Sequence, residues 1–259
     1  MRLRLFLSLI FLFNFLSCRS SPIYNYKHIK VVKAVDGDTV ILENGEYLRY
    51  IGIDTPETRK KVGHSWIEAP QPFALEAKDF NRRLVEGKFV RVEFDVEKRD
   101  RYKRLLGYVF VDGTFVNRVL LEEGLAVLYT RPPNVKYVDK FLSAQKKARF
   151  QRKGLWGAYE IIRPQQAHRF IGQIRTVRGR VLSCMCTSRA CFLNFGPDYR
   201  TDFTVVIFRS SFPYFHQAGI NICSRYSQRV IEVSGRIREY NGPEIVVNIP
   251  EEITLAEDD

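Results

Sequence analysis

The chain has 259 residues, 45% of them hydrophobic and 27% charged, enough apolar material for about two buried cores. Its 16 glycines and 11 prolines exclude a collagen-like or linker-like chain, and the composition excludes disorder except at the ends. A formal net charge of +12 points to polyanionic partners such as nucleic acid, anionic lipid or glycans.

Met1 to Arg4 is a short cationic start, followed by an apolar run from Leu5 to Leu16 broken only by Ser8 and Asn14. At about 1.5 Å per residue the run spans roughly 18 Å, short of a bilayer core near 30 Å. That is the shape of a secretory signal over residues 1–17. The segment Phe15-Leu16-Ser17-Cys18 resembles a bacterial lipobox, which implies lipidation of Cys18, export, and a soluble body tethered to the cell envelope by its lipid alone. Plain secretion and an uncleaved anchor are the alternatives.

Downstream, Ile29 to Val35 and Thr39 to Leu42 read as strands around a turn at Asp36-Gly37, and Asn44-Gly45 is a hairpin signal before a strand from Tyr47 to Ile53. Helical spacing marks Phe73 to Val85. Strands follow at Phe89–Phe94 and Leu105–Val111, then a short helix over Val116–Leu121 and a basic helix over Val135–Arg152. The stretch Arg59 to Gln71, with His64 and Trp66, reads as a loop. Five strands with a helix after the third describe a small barrel with helices outside.

The glycines of Lys153-Gly154-Leu155-Trp156-Gly157 and Pro164 mark a boundary. Residues 23–163 carry 27 Lys and Arg against 19 Asp and Glu. Residues 164–259 carry 11 against 10, every cation an arginine, and end in an acidic tail. Strands are expected at Phe170–Ser183, Cys191–Phe195, Asp202–Phe208, Arg229–Glu239 and Glu244–Ile249, with a short helix near Ser210–Gln217: again a five-stranded plan. In an oxidising compartment Cys184, Cys186, Cys191 and Cys223 favour disulfides of unreadable pairing over an irregular zinc site.

Three segments concentrate polar residues that a barrel core does not need: Asp36-Gly37-Asp38-Thr39, Arg49 to Glu57, and Asp100 to Arg104. With the Gly154-Leu155-Trp156 ending, residues 28–157 resemble a staphylococcal nuclease (thermonuclease) domain. The resemblance implies a mainly β fold, a nuclease-type barrel with helices; the five-stranded plan of residues 164–259 adds a second barrel beside it. It implies Ca²⁺ held by Asp38, Asp54 and the carbonyl of Thr55, all oxygen donors that suit a hard cation. Glu57 would orient or deprotonate the attacking water, and Arg49 and Arg104 would clamp the phosphate through forked, permanently charged guanidiniums. Arg101 and Tyr102 fall where the family contacts a terminal phosphate, with Arg101 replacing the usual Lys. Tyr129 falls at the base pocket, and Gln145 stands where many relatives carry Glu.

Residues 164–259 resemble, less specifically, an OB-fold nucleic-acid-binding domain through Gly179-Arg180-Val181, Phe192 to Gly196, Asp202 to Val205 and Ser234-Gly235. Alternating aromatics there suit a barrel core as well as a stacking platform. The whole reading is a monomeric, exported, calcium-dependent nuclease of DNA and RNA, favouring single strands and leaving 3′-phosphate ends. Its rivals are a non-cutting surface binder of nucleic acid and a binder of anionic glycans.

Overall fold

The computed structural model describes residues 24–257; the leader, Cys18 and the last two residues lie outside the described residues. Strands β1 (Ile29–Ala34), β2 (Thr39–Leu42) and β3 (Tyr47–Tyr50) form an antiparallel meander. Its inward residues, among them Ile29, Val31, Leu42 and Leu48, are fully buried, and this apolar burial is the main force holding the strands in register.

The strand expected from Tyr47 to Ile53 breaks after Tyr50. Gly52 is the reason: it sits at φ 82°, and a Cβ there would lie 2.4 Å from the Phe141 ring. The buried side chain of Asn117 takes up the freed Ile51 carbonyl at 2.9 Å. The chain turns out of the sheet as β4 (Gly52–Asp54) and, in place of the expected loop, enters a solvent-exposed hairpin, β5 (Arg59–Val62) with β6 (Ser65–Glu68).

Helix α1 (Ala74–Val85), strands β7 (Phe89–Glu93), β8 (Leu105–Val111) and β9 (Thr114–Phe115), and helix α2 (Val116–Glu122) follow. Strand β8 pairs with β7 and, in parallel, with β3, while β7 pairs with β1, so five strands close into a barrel. Strand β10 (Val127–Tyr129) pairs with β4, setting Val127 opposite Asp54. Helix α3 (Val138–Phe150) is shorter than the Val135–Arg152 pattern and packs Phe141, Ala144 and Ala148 inward. Its Gln145 accepts a hydrogen bond from the Leu128 backbone at 2.7 Å, so it pins β10. Helix α4 (Leu155–Ala158) ends this half.

In the second half the expected strand from Phe170 to Ser183 is corrected. Pro164 to Phe170 wind as a 3₁₀ turn with Pro at its start, and the strand is split into β11 (Ile174–Arg180) and β12 (Ser183–Cys186). Strands β13 (Ala190–Asn194) and β14 (Thr204–Phe208) lead to helices α5 (Phe212–Gln217) and α6 (Ile222–Tyr226). Helix α6 was not expected; Asn221 caps it by accepting from the Ser224 backbone at 3.0 Å. Strands β15 (Val230–Arg236), β16 (Arg238–Glu239), β17 (Pro243–Val246) and an unexpected β18 (Ile253–Leu255) complete the chain.

These strands form two sheets, β11-β15-β18 and β12-β13-β14-β17-β16, with β14 and β17 parallel. They share one apolar core that includes Leu193, Phe203 and Val205. Disulfides join Cys184 to Cys223 and Cys186 to Cys191. The halves meet over a small cluster of Val127, Leu155 and Ile174, and through an Arg149–Glu232 ion pair at 2.8 Å. Among the described residues no helix is long and apolar enough to cross a membrane.

Candidate active site

The polar segments converge at one end of the first barrel. Asp38 lies in the β1–β2 turn, Arg49 on β3, Asp54 at the end of β4, and Thr55 and Glu57 in the loop beyond. The turn is held from below: α1 contributes Asn81, which donates to the Asp36 carbonyl at 2.9 Å and accepts from the buried Tyr50 hydroxyl at 2.9 Å. Gly37 is needed for this contact, because a Cβ there would stand 2.8 Å from both Ala77 and Thr55.

Asp38 is 4% exposed. Its Oδ2 accepts from the Thr55 amide at 2.8 Å and the Thr55 hydroxyl at 2.9 Å, and pairs with Arg49 at 3.0 Å. Arg49 also donates to Asp54 Oδ1 at 3.0 Å and to the Ile53 carbonyl at 2.9 Å, so one guanidinium ties both acids to the β3–β4 break. Burial pushes the Asp38 carboxyl up, against the pull of Arg49. Burial works against the Arg49 charge too, but Asp38 and Asp54 outweigh it and raise its pKa. Glu57 is raised by burial, opposed by Arg236. A carboxylate of higher pKa is a better proton acceptor than an ordinary one.

Arg104 is aimed by Asp100, which accepts its Nε at 2.8 Å and its backbone amide at 3.0 Å. Arg101 donates to the Tyr102 hydroxyl at 2.7 Å, and Tyr102 is 64% exposed. Arg101, Tyr102, Arg104 and Tyr129 line a cavity of about 190 Å³ that adjoins the acidic cleft. Tyr129 and Arg104 line both. Every expected site residue apart from Cys18 is thus brought to these two neighbouring cavities or to the loop that borders them.

Three further residues of the site carry no signal in the sequence. Arg236, at the end of β15, reaches across from the second half and donates Nε to Asp54 Oδ2 at 3.0 Å and an amino group to the Thr55 carbonyl at 2.8 Å. Gln71 accepts from the Glu57 amide at 3.0 Å and donates to the Gly172 carbonyl at 2.7 Å, linking the Glu57 loop to the second half. Glu252 lines the acidic cleft and accepts from the Thr130 amide at 3.1 Å and the Asn248 amide at 2.7 Å; burial lifts its pKa to about 7. The arginine-only composition of the second half and its Ser234-Gly235 segment were the only signals near Arg236, and neither specifies an address.

The family described as staphylococcal nuclease homologue matches residues 47–158. The chain is 39% identical over 136 residues to a thermonuclease of Staphylococcus hyicus, an alignment covering 51% of this chain and 77% of that one. The chain is a staphylococcal nuclease homologue. It is also 40% identical over 134 residues to Endonuclease YncB of Bacillus subtilis (50% of this chain, 61% of that one). With the SPbeta prophage-derived endonuclease YokF of the same species it shares 43% over 129 residues (48% and 42%). It therefore spans less than two thirds of either Bacillus endonuclease. As a staphylococcal nuclease homologue it is a phosphodiester-cleaving hydrolase of a family that uses a divalent metal. The family match begins at Tyr47, so Asp38 lies outside it and joins the site through the fold.

The donor set fits such a metal. Asp38, Asp54 and the Thr55 carbonyl offer only oxygen, which suits a hard divalent cation. Asp54 and the Thr55 carbonyl already hold a cation, the Arg236 guanidinium.

Proposed function

We propose that the protein is an exported, calcium-dependent nuclease that cuts DNA and RNA, favours single strands and leaves 3′-phosphate ends. The observation that carries this reading is the convergence of Asp38, Asp54, Glu57 and Arg49 on one cleft of about 220 Å³, with Thr55 bonded to Asp38 beside it. Asp38, Asp54 and Thr55 would hold Ca²⁺, which supplies positive charge for the phosphate oxygens and acidifies the attacking water. Glu57, half-exposed on the wall of the cleft, accepts the proton of that water. Arg49 and Arg104 hold the phosphate oxygens and stabilise the charge they gain as the leaving 5′-oxygen departs. Arg101 and Tyr102, flanking the second cavity, bind a terminal phosphate, and Tyr129 supports a base.

A cleft walled on one side by the nuclease half and on the other by Ser234, Arg236 and Glu252 favours a single strand over a duplex. The second half is read as an OB-like barrel that extends the substrate track: its strands 12-13-14-17-16 repeat the pairing order of the first barrel, parallel pair included. A lipidated Cys18 would tether the enzyme to the envelope.

The test uses the chain without its first 21 residues, wild type and Glu57→Gln, on single-stranded DNA and RNA with calcium or chelator. Calcium-dependent cleavage that falls about a hundredfold or more in the variant supports the reading. Retained binding with no cleavage by the wild type overturns it.

A further inference from the structure

The corner of the nuclease site that is expected to hold metal is gripped by the other half of the chain. Arg236, with its side chain 19% exposed, makes three charged or carbonyl contacts there: Asp54 Oδ2 at 3.0 Å, the Thr55 carbonyl at 2.8 Å and Glu57 at 3.4 Å. Its remaining amino group donates to the Gly172 carbonyl at 2.7 Å and to Gln71 at 3.4 Å. Every polar nitrogen of the guanidinium therefore has a partner, and the fork is fixed from both sides of the seam.

Two of these partners, Asp54 and the Thr55 carbonyl, are metal ligands on the reading above. A divalent cation binding them at about 2.3–2.6 Å would stand within a few ångströms of the guanidinium, where two positive charges repel in a partly desolvated site. The guanidinium and the metal compete for the same oxygens. Without metal, the cleft gathers Asp36, Asp38, Asp54 and Glu57; Arg49 pairs with Asp38 and with Oδ1 of Asp54, while Arg104 and Arg238 line the cleft farther round. Arg236 is the cation on the other Asp54 oxygen, the Thr55 carbonyl and Glu57.

We propose that Arg236 is a built-in competitor of the catalytic cation: it occupies the cation position in the metal-free protein, and metal loading drives it out, loosening the second half from the Glu57 loop. This rests on the metal site of the proposed function. Metal binding and the seam between the halves are then coupled, so whatever holds the seam closed weakens apparent metal affinity.

The test is calcium binding by calorimetry to the full chain, wild type, Arg236→Gln, Arg236→Lys and, as a charge control, the exposed Arg200→Gln. Arg236→Gln is expected to tighten calcium binding about tenfold or more, Arg236→Lys less, and Arg200→Gln by less than about twofold. In the wild type, calcium is expected to raise hydrogen exchange at Ser234–Arg236 and at Gly172, a readout that needs no variant to fold. Unchanged or weaker affinity in a folded Arg236→Gln chain, or wild-type exchange that calcium leaves unaltered, overturns the proposal. If Arg236→Gln binds calcium more tightly and no form cleaves nucleic acid, the nuclease reading fails and the competition stands. If cleavage needs calcium and the affinities match, the reverse holds.

Discussion

The two halves of the molecule share a strand order and use it differently. In each, a three-strand meander is followed by helix, and the third strand pairs in parallel with a later one, β3 with β8 and β14 with β17. The first half spends its interior on buried polar groups: Asp38, Asn81 and Asn117 are nearly or wholly buried and hold the turn and the β3–β4 break in place. The second half buries polar groups as well, among them Asn194, Glu244 and Asn248, but none of these lines the acidic cleft, and two disulfides staple this half. One strand order can border a site or stand apart from it, depending on what the turns present. The halves are also not independent, because the second supplies Arg236 and Glu252 to the cleft of the first.

Removing the Cys184–Cys223 bond should break the comparison most sharply. Its 39-residue separation predicts a loss of about 3–4 kcal/mol on the chain-entropy account. Both cysteines must be replaced together, by serine, since Cys186 Sγ lies 3.6 Å from Cys223 Sγ and could re-pair with it. Hydrogen exchange should show lost protection confined to the second half, with the first barrel unchanged. Loss spread evenly over both halves would mean that they unfold as one unit.

A smaller effect is expected from Glu252, which bridges the halves through Thr130 and Asn248. The unfolded chain ionises it near the ordinary carboxylate value of about 4.3, the folded chain near 7. Between those values the folded state binds the extra proton, so this contribution is full below about pH 4 and is lost as pH rises through about 7. Denaturant titrations across that range should give a steeper fall in stability for the wild type than for Glu252→Gln.

The least expected change is at the Arg149–Glu232 pair. With Arg149 about a third exposed, its truncation to alanine should cost about 1 kcal/mol or less, beyond what the lost packing on Trp156 adds. A larger loss, measured by thermal unfolding at low and high salt, would mean that electrostatics contribute more to the seam than its apolar cluster does.

What the sequence made legible follows from range. Asp36 to Thr39 and Arg49 to Glu57 are compact motifs on adjacent strands, so the residues, their order and the nuclease barrel could all be read locally. The hairpin at Arg59–Glu68 could not, because all eight of its strand residues are exposed and leave no apolar alternation. The β3–β4 break depends on Phe141 lying against Gly52, a contact that no local pattern encodes. Arg236 reaches Asp54 from 182 residues away, and only the folded seam brings the two together.

The most direct test of the account is a crystal of the full chain grown with manganese, with the metal located by its anomalous scattering. A peak coordinated by Asp38, Asp54 and the Thr55 carbonyl is expected, with the Arg236 guanidinium moved off Asp54. A peak elsewhere in a crystal of the active enzyme, with these oxygens still bound only to arginine, would contradict it.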